Sequence, residues 1–88
     1  MAFDWESLKA GDRIQYTRIL EGRKPVDCAE RVSCLEAERV HPKTGRVTPA
    51  GVCFLDVVMN GIGMESFNTY DDLRRREAEG WYTGVKIA

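Results

Sequence analysis

The sequence predicts an α+β protein with a small, bent antiparallel β-sheet of about five strands and one C-terminal helix before the last strand. Residues 52–59 form a nearly unbroken apolar run, and Asn60-Gly61 follows directly. This dipeptide suits a two-residue type I′ turn because both positions need positive φ. The strand pattern returns at residues 62–67, which predicts a β-hairpin at the centre of the fold. Helix-start and helix-stop signals then bracket residues 69–80.

The length of the chain limits its architecture. A second core within 88 residues would leave each half too short for burial to offset chain entropy, so residues 1–88 are expected to form a single domain. With 43% hydrophobic and 31% charged residues, the composition is that of a folded globular protein and not of a disordered segment.

The N-terminal segment, residues 3–11, predicts one or two helical turns. Asp4 stands at the N-cap position, and Phe3 and Leu8 are placed as a hydrophobic staple. Gly11 can take the left-handed conformation just beyond the helix. We expect this short helix to cover the core.

A first strand is predicted over residues 13–20, and the turn at residues 21–25 ends it. Its inward face is apolar except at Arg18, which is the odd member. The apolar residues expected on that face are Ile14, Tyr16 and Leu20.

Residues 25–30 are expected to form a loop and residues 31–41 a second strand. Glu36 and Glu38 interrupt the inward face of this strand, which indicates either a β-bulge or an edge position. A short helix over residues 29–38 is the competing interpretation, because Ala, Glu, Leu and Arg favour helices.

The middle of the chain predicts a turn at residues 42–45 and a short strand at 46–48. A break is expected at residues 49–51, because Pro49 has no backbone donor for a strand ladder. Residues 52–59 then form a central strand with both faces largely buried.

Thr69 and Asp72 form an acidic variant of the capping box, which opens a helix to about Glu79, and Gly80 closes it. Residues 81–87 are the last predicted strand. The side chains expected together on one of its faces are Trp81, Val85 and Ile87.

This order of elements resembles that of small SH3-like barrels, in which a helical turn precedes the final strand. The resemblance is one of order alone. The aromatic peptide-binding signature of SH3 domains is absent from the sequence, so their proline-rich ligands are not implied.

The charges are evenly spread along the chain. The formal net charge is −1, and residues 1–30, 31–60 and 61–88 carry −1, +1 and −1. A nucleic-acid-binding protein would therefore need a basic cluster that only folding creates.

Arg74-Arg75-Arg76 is the densest charge run, and it is a candidate contact for phosphates or an acidic partner. The stronger interpretation is a solvated helix face, because Asp71 and Asp72 stand four residues before Arg75 and Arg76, the spacing of helical ion pairs.

Other candidate binding residues lie outside the helix. Arg23 and Lys24 are expected on an exposed loop, where binding residues are often found. Trp5, Trp81 and Tyr82 are aromatic candidates for stacking or for an interface, although a core this small favours their burial. The residues predicted to bind a partner are Arg23, Lys24, Arg74, Arg75, Arg76 and Tyr82.

Three cysteines and one histidine raise the question of metal or nucleophilic chemistry. Cys28, Cys34, His41 and Cys53 have the residue types of a Cys₃His zinc site, but structural zinc sites place paired ligands two to four residues apart. Buried cysteines acting as apolar fillers are the favoured interpretation. Catalysis by Cys53 with His41 is disfavoured because Cys53 lies in the apolar run.

The cysteine content and the absence of a secretory signal predict a reducing, cytoplasmic setting, and no segment is apolar enough to span a membrane. The sequence predicts neither a cofactor nor a catalytic set. The expected role is a non-catalytic interaction or regulatory module that binds another macromolecule, most readily a protein, as accessory proteins of phages and plasmids do. The alternatives are nucleic-acid binding through Arg74–Arg76 with Trp81 or Tyr82, and a small zinc module; a homodimer is a further hypothesis.

Overall fold

The computed structural model describes residues 2–57 and 63–88 of the chain. The elements follow one another as a 3₁₀ turn at Trp5–Ser7, β1 at Arg13–Arg18, β2 at Val26–Glu36, β3 at Arg39–Val40, β4 at Val47–Thr48, β5 at Gly51–Val57, β6 at Gly63–Thr69, α1 at Tyr70–Ala78 and β7 at Tyr82–Ile87. The N-terminal helical turns are thus a single 3₁₀ turn, and β1 ends two residues earlier than expected.

Five strands form one antiparallel sheet in the order β6-β5-β2-β1-β7, and β3 pairs with β4 in a separate two-stranded ribbon. The predicted α+β class, with a helix before the last strand, is confirmed. The SH3-like barrel is not: across the described residues the sheet stays open, with β6 and β7 at opposite edges. In the chain, α1 connects β6 to β7. The two edge strands do not pair with each other.

The second strand begins earlier than the sequence predicted. β2 starts at Val26, within the segment expected to be a loop, because six of its residues pair with β1 from Arg18↔Val26 to Arg13↔Arg31. This pairing also excludes the helix expected as the competing interpretation for residues 29–38. β2 is the central strand of the sheet, a position that the sequence assigned to the apolar run.

Of the two alternatives for this strand, a β-bulge or an edge position, the structure has the bulge, which lies at Ser33. Val32 lies opposite Phe54 and Cys34 opposite Cys53, so Ser33 is the extra residue against β5. Val32 and Phe54 are buried in the core. Because adjacent strand residues point to opposite faces, Cys53 and its neighbour Cys34 lie on the other face of the sheet.

The apolar run is only partly described. Its described strand portion is β5, which lies next to the central strand, and Val52, Cys53 and Phe54 are all buried. Burial of consecutive residues agrees with the predicted two-sided strand. The Asn60-Gly61 turn lies outside the described residues.

One face of the sheet is covered by the 3₁₀ turn and by α1. The buried cluster on this face comprises Trp5, Leu8, Ile14, Tyr16, Val32, Val52, Phe54 and Leu73. Leu8 is buried and Phe3 packs against the cluster, as the staple predicted. Asp4 makes no side-chain capping bond; the Ser7 hydroxyl instead donates to the Asp4 carbonyl at 2.7 Å.

The helix boundaries agree with the sequence prediction. The Thr69 hydroxyl accepts a hydrogen bond from the Asp72 backbone N–H at 3.1 Å, which caps α1. Gly80 follows the helix with a φ of 88°, a conformation that favours glycine.

The predicted face of the last strand is correct for Val85 and for Ile87, which lies opposite the core residue Ile14, but it is wrong for Trp81. Gln15 pairs with Lys86 and Thr17 with Thr83, so two residues of β7 oppose one residue of β1. One of the two is Gly84, whose φ of 64° fits a bulge that begins with a left-handed glycine. The bulge changes the alternation, so that Tyr82 and Val85 both pack against the core while Trp81 is exposed. Ile87 is on the core face but is half exposed at the end of the strand.

Within the described ranges, no helix has the length and apolar character needed to cross a bilayer.

Candidate functional site

The arginine run on α1 divides into two neutralised residues and one that is not. Arg74 and Arg75 are exposed and form ion pairs at 2.7–3.6 Å. The carboxylate partners are Glu6 and Asp71 for Arg74 and Asp72 and Glu79 for Arg75. The aspartates pair at a spacing of three residues, which corrects the predicted spacing of four. The hydrogen bonds that Arg74 donates to Glu6 and Asp71 raise its pKa further.

Arg76 points in another direction. Its Nη1 donates to Asn68 Oδ1 at 3.1 Å and makes a longer contact with the Tyr82 hydroxyl at 3.5 Å. No carboxylate in the described part of the chain forms an ion pair with Arg76. Arg76 is half-buried. Its contacts with the Asn68 amide and the Tyr82 phenol hold the positive charge in place.

Arg76 and Tyr82 border a cavity of about 210 Å³ between α1 and the sheet, which we call the front cleft. Its inner wall is apolar and includes Ile14, Phe54 and Leu73. The polar residues that line it are Arg18, Glu30, Ser66, Asn68, Arg76 and Tyr82. Polar groups that converge on a concave site are a usual feature of binding pockets, and here they provide most of the accessible lining.

Two tyrosines form one side of the front cleft. The Tyr16 and Tyr82 rings meet edge to face with centroids 5.0 Å apart. Burial raises the pKa of Tyr16 well above its usual range, and the charge of Glu30 raises it further. Tyr16 therefore stays protonated at neutral pH.

Arg18 brings a second positive charge to the cleft. It is exposed at the end of β1 and forms no ion pair with any side chain that the structure describes. With Arg76 and Glu30, the described residues of the lining carry two positive charges and one negative charge. The cleft is therefore suited to an anionic group.

The structure brings together two of the six predicted binding residues, Arg76 and Tyr82. Arg23 and Lys24 are exposed in the turn between β1 and β2 and do not line the front cleft. Sequence reasoning missed Arg18 as a binding residue. The available signal was a charged residue on the otherwise apolar face of the first strand.

The predicted aromatic residues have different environments. Trp5 is a core residue, with 2% of its surface exposed, and Tyr82 packs against the core from the cleft. Trp81 is 43% exposed, and its indole N–H donates to Glu79 at 3.1 Å. The expectation of burial is thus wrong for Trp81 alone.

A second, more open depression of about 460 Å³ lies across β1, β2 and β7. Gln15, Thr17, Asp27 and Lys86 line it, with Thr17 donating to Asp27 at 3.0 Å. The depression has one negative residue, Asp27, and one positive residue, Lys86, among its described lining, and both are exposed. It therefore offers a weaker basis for recognition than the front cleft.

The four residues considered for a Cys₃His zinc site do not come together. Cys28 contacts the Val26 carbonyl through its thiol, and His41 Nδ1 accepts hydrogen bonds from the backbone N–H groups of Lys43 and Thr44. Neither belongs to a metal-ligand group in the described part of the structure.

Cys34 and Cys53 do come together, and Glu36 joins them. The sulfur atoms of the two cysteines and a Glu36 carboxylate oxygen all lie within 4.8 Å of one another. Burial raises the pKa of Cys53 to about 12, with smaller contributions from Cys34, Glu36 and Glu65. A thiol with so high a pKa is a poor nucleophile, which argues against cysteine catalysis.

Comparison with known proteins gives no family: no family model, curated protein or solved structure matches this chain.

Proposed function

We propose that this protein is a small non-catalytic module that binds another protein through the front cleft, by capturing an acidic side chain or segment of the partner. The observation that carries the proposal is that Arg18 and Arg76 line the same cavity. Neither arginine forms an ion pair with a carboxylate among the described residues. A carboxylate of the partner would supply the missing negative charge.

The chemistry of the lining supports binding of a protein. Arginine and tyrosine are enriched among the residues that dominate protein interfaces, and a guanidinium can hold a carboxylate with two parallel hydrogen bonds. Arg76 is half-buried and already oriented by Asn68, so less side-chain entropy is lost when it binds.

The same groups support a role without catalysis. Guanidinium, amide and phenol groups bind and orient an anion.

Nucleic-acid binding through Arg74, Arg75 and Arg76 is the alternative that the experiment must distinguish from protein binding. Four carboxylate contacts neutralise Arg74 and Arg75, which weakens the case for a phosphate-binding helix face. Phosphate contacts would also make the affinity fall steeply with salt concentration.

The test compares two matched double variants of the full chain. Wild type, Arg18→Ala/Arg76→Ala and Arg74→Ala/Arg75→Ala are immobilised and exposed to an extract of the native host. Any captured protein is then purified and its Kd is measured by calorimetry. Arg76→Lys is a further variant, which keeps the charge but removes the planar fork.

We expect the cleft double variant to weaken binding by at least about tenfold, since hot-spot truncations cost about 2 kcal/mol or more. The Arg74/Arg75 variant should bind like wild type. The proposal is wrong if no protein is bound, if the two double variants lose affinity equally, or if the captured ligand is a nucleic acid with steep salt dependence. Circular dichroism of each variant confirms that it is folded.

A further inference from the structure

The face of the sheet opposite the front cleft carries a compact group of sulfur and oxygen ligands. Cys34 of β2 lies directly opposite Cys53 of β5. Glu36, two residues beyond Cys34, lies on the same face because strand side chains alternate. The three ligand atoms are within 4.8 Å of one another; Cys53 is buried and the other two residues are half-buried.

We propose that Cys34, Glu36 and Cys53 bind one divalent transition-metal ion, with Zn²⁺ the ion that suits this ligand set best. Two thiolates exclude Mg²⁺ and Ca²⁺, which prefer oxygen ligands alone. Zn–S and Zn–O bonds of about 2.3 and 2.1 Å give ligand–ligand separations of about 3.5–3.8 Å in a tetrahedron. The side chains therefore need to close by only about 1 Å around the ion, and three protein ligands leave a fourth position for water.

The bulge at Ser33 creates this arrangement. Without the extra residue, Cys34 would point to the core face together with Val32. The Ser33 hydroxyl donates to the Cys53 carbonyl at 3.2 Å and joins the two strands at the bulge. The two cysteines are far apart in the sequence, so their spacing along the chain gives no sign of the site.

Glu36 also has an outer partner that would orient it. Its Oε2 accepts a hydrogen bond from Arg39 Nη2 at 2.9 Å, and Arg39 is 66% exposed. We therefore assign Oε1, which does not take part in this ion pair, as the oxygen that would bind the metal. Outer hydrogen bonds of this kind fix metal-binding carboxylates.

The experiment is a Co²⁺ titration of the full chain, kept reduced under anaerobic conditions. Cobalt reports thiolate coordination through a charge-transfer band in the near ultraviolet and tetrahedral geometry through its visible bands. We expect one ion per chain, displacement by Zn²⁺ and protection of two of the three cysteines from a thiol reagent.

The variants are Cys34→Ser, Glu36→Gln and the matched control Cys28→Ser. Loss of Cys34 should weaken cobalt binding by more than about 100-fold, since removal of an outer partner alone costs roughly 10- to 100-fold. Glu36→Gln should weaken binding and alter the visible bands, whereas Cys28→Ser should leave both unchanged. Circular dichroism separates loss of a ligand from loss of the fold, and Glu36→Gln tests the site without changing a partly buried thiol.

Three results would overturn the proposal: no charge-transfer band in the reduced protein, a band that depends on Cys28, or binding that is unaffected by Glu36→Gln. A reduced protein that binds no metal but forms a Cys34–Cys53 disulfide on exposure to oxygen would also overturn it. None of these results depends on the partner-binding experiment, so the two proposals fail separately.

Discussion

Tyr16 is a buried phenol whose surroundings make the stability of the protein depend on pH. Burial and the charge of Glu30 raise its pKa above the ordinary value of 10.0 in the folded state. The folded chain therefore holds this proton more tightly than the unfolded chain. The resulting stability is fully present below about pH 10 and is lost as the pH rises beyond it.

The variant Tyr16→Phe tests this dependence. We expect the difference in unfolding free energy between wild type and variant to be constant from about pH 7 to 9 and to change against wild type above about pH 10. Urea unfolding at a series of pH values measures it. Parallel pH curves for the two proteins would show that Tyr16 does not carry the effect.

Gly51 is fixed by a close approach of neighbouring residues. A Cβ atom there would lie 2.7 and 2.8 Å from two ring carbons of Phe67 and closer still to the Asn68 carbonyl oxygen. The oxygen belongs to the backbone of β6, which is paired with β5 and cannot move aside freely.

We therefore expect Gly51→Ala to destabilise the fold by about 1–3 kcal/mol, the usual cost of overpacking. The sign of the change in stability shows whether the close contact exists, because Gly→Ala at an open position of compatible backbone stabilises a protein by about 0.4–1 kcal/mol. The midpoint of urea unfolding gives the sign, and an increase in the midpoint would contradict the close contact.

At the scale of elements, Glu77 of α1 holds the N-terminal segment in place. Its carboxylate accepts hydrogen bonds from the Phe3 backbone N–H at 3.1 and 3.2 Å and from the Trp5 indole N–H at 3.1 Å. Trp5 is 2% exposed, so its N–H loses this partner without gaining water if the carboxylate is removed.

Glu79 provides the matched control, because it accepts from the indole N–H of Trp81, which is exposed. Glu77→Ala should reduce the free energy of unfolding by about 1–3 kcal/mol, whereas Glu79→Ala should cost less than about 1 kcal/mol. Urea unfolding followed by tryptophan fluorescence measures both. Equal losses would mean that Glu77 does not anchor the segment.

The elements also show where sequence reasoning succeeded and where it failed. The start and end of α1 were predictable because Thr69 and Gly80 act on their immediate neighbours. The start of β2 was not, because pairing with β1 from Val26 onward determines it and not the propensity of residues 25–30. Trp81 was placed on the wrong face relative to Val85 and Ile87 because Gly84 adds a bulge that no apolar pattern records.

At the scale of the whole molecule, the open sheet gives a prediction about self-association. β6 and β7 are edge strands, whose unpaired backbone groups are available to a second chain. We expect association at micromolar concentration, with a mass near twice the monomer value of 10.0 kDa. Sedimentation equilibrium measures the mass, and a value of 10.0 kDa throughout would contradict the homodimer hypothesis.

Both candidate sites are formed by segments that are far apart in the chain. The front cleft joins Arg18 of β1 to Arg76 of α1, and the cysteine–glutamate group joins β2 to β5. Arg76 and Tyr82 were predicted as binding residues. That Arg76 lines the cleft while Arg74 and Arg75 are neutralised could not be predicted, because it depends on which carboxylates reach each arginine in the folded chain.

The sequence by itself determined the α+β class, the helix before the last strand and most of the buried residues. These features follow from alternation, capping and turn chemistry, which act over a few residues. The tertiary structure decided the strand order, the open sheet, the strand limits set by pairing and the assembly of the two sites. These depend on contacts between residues far apart in the chain, and local preferences carry no information about such contacts.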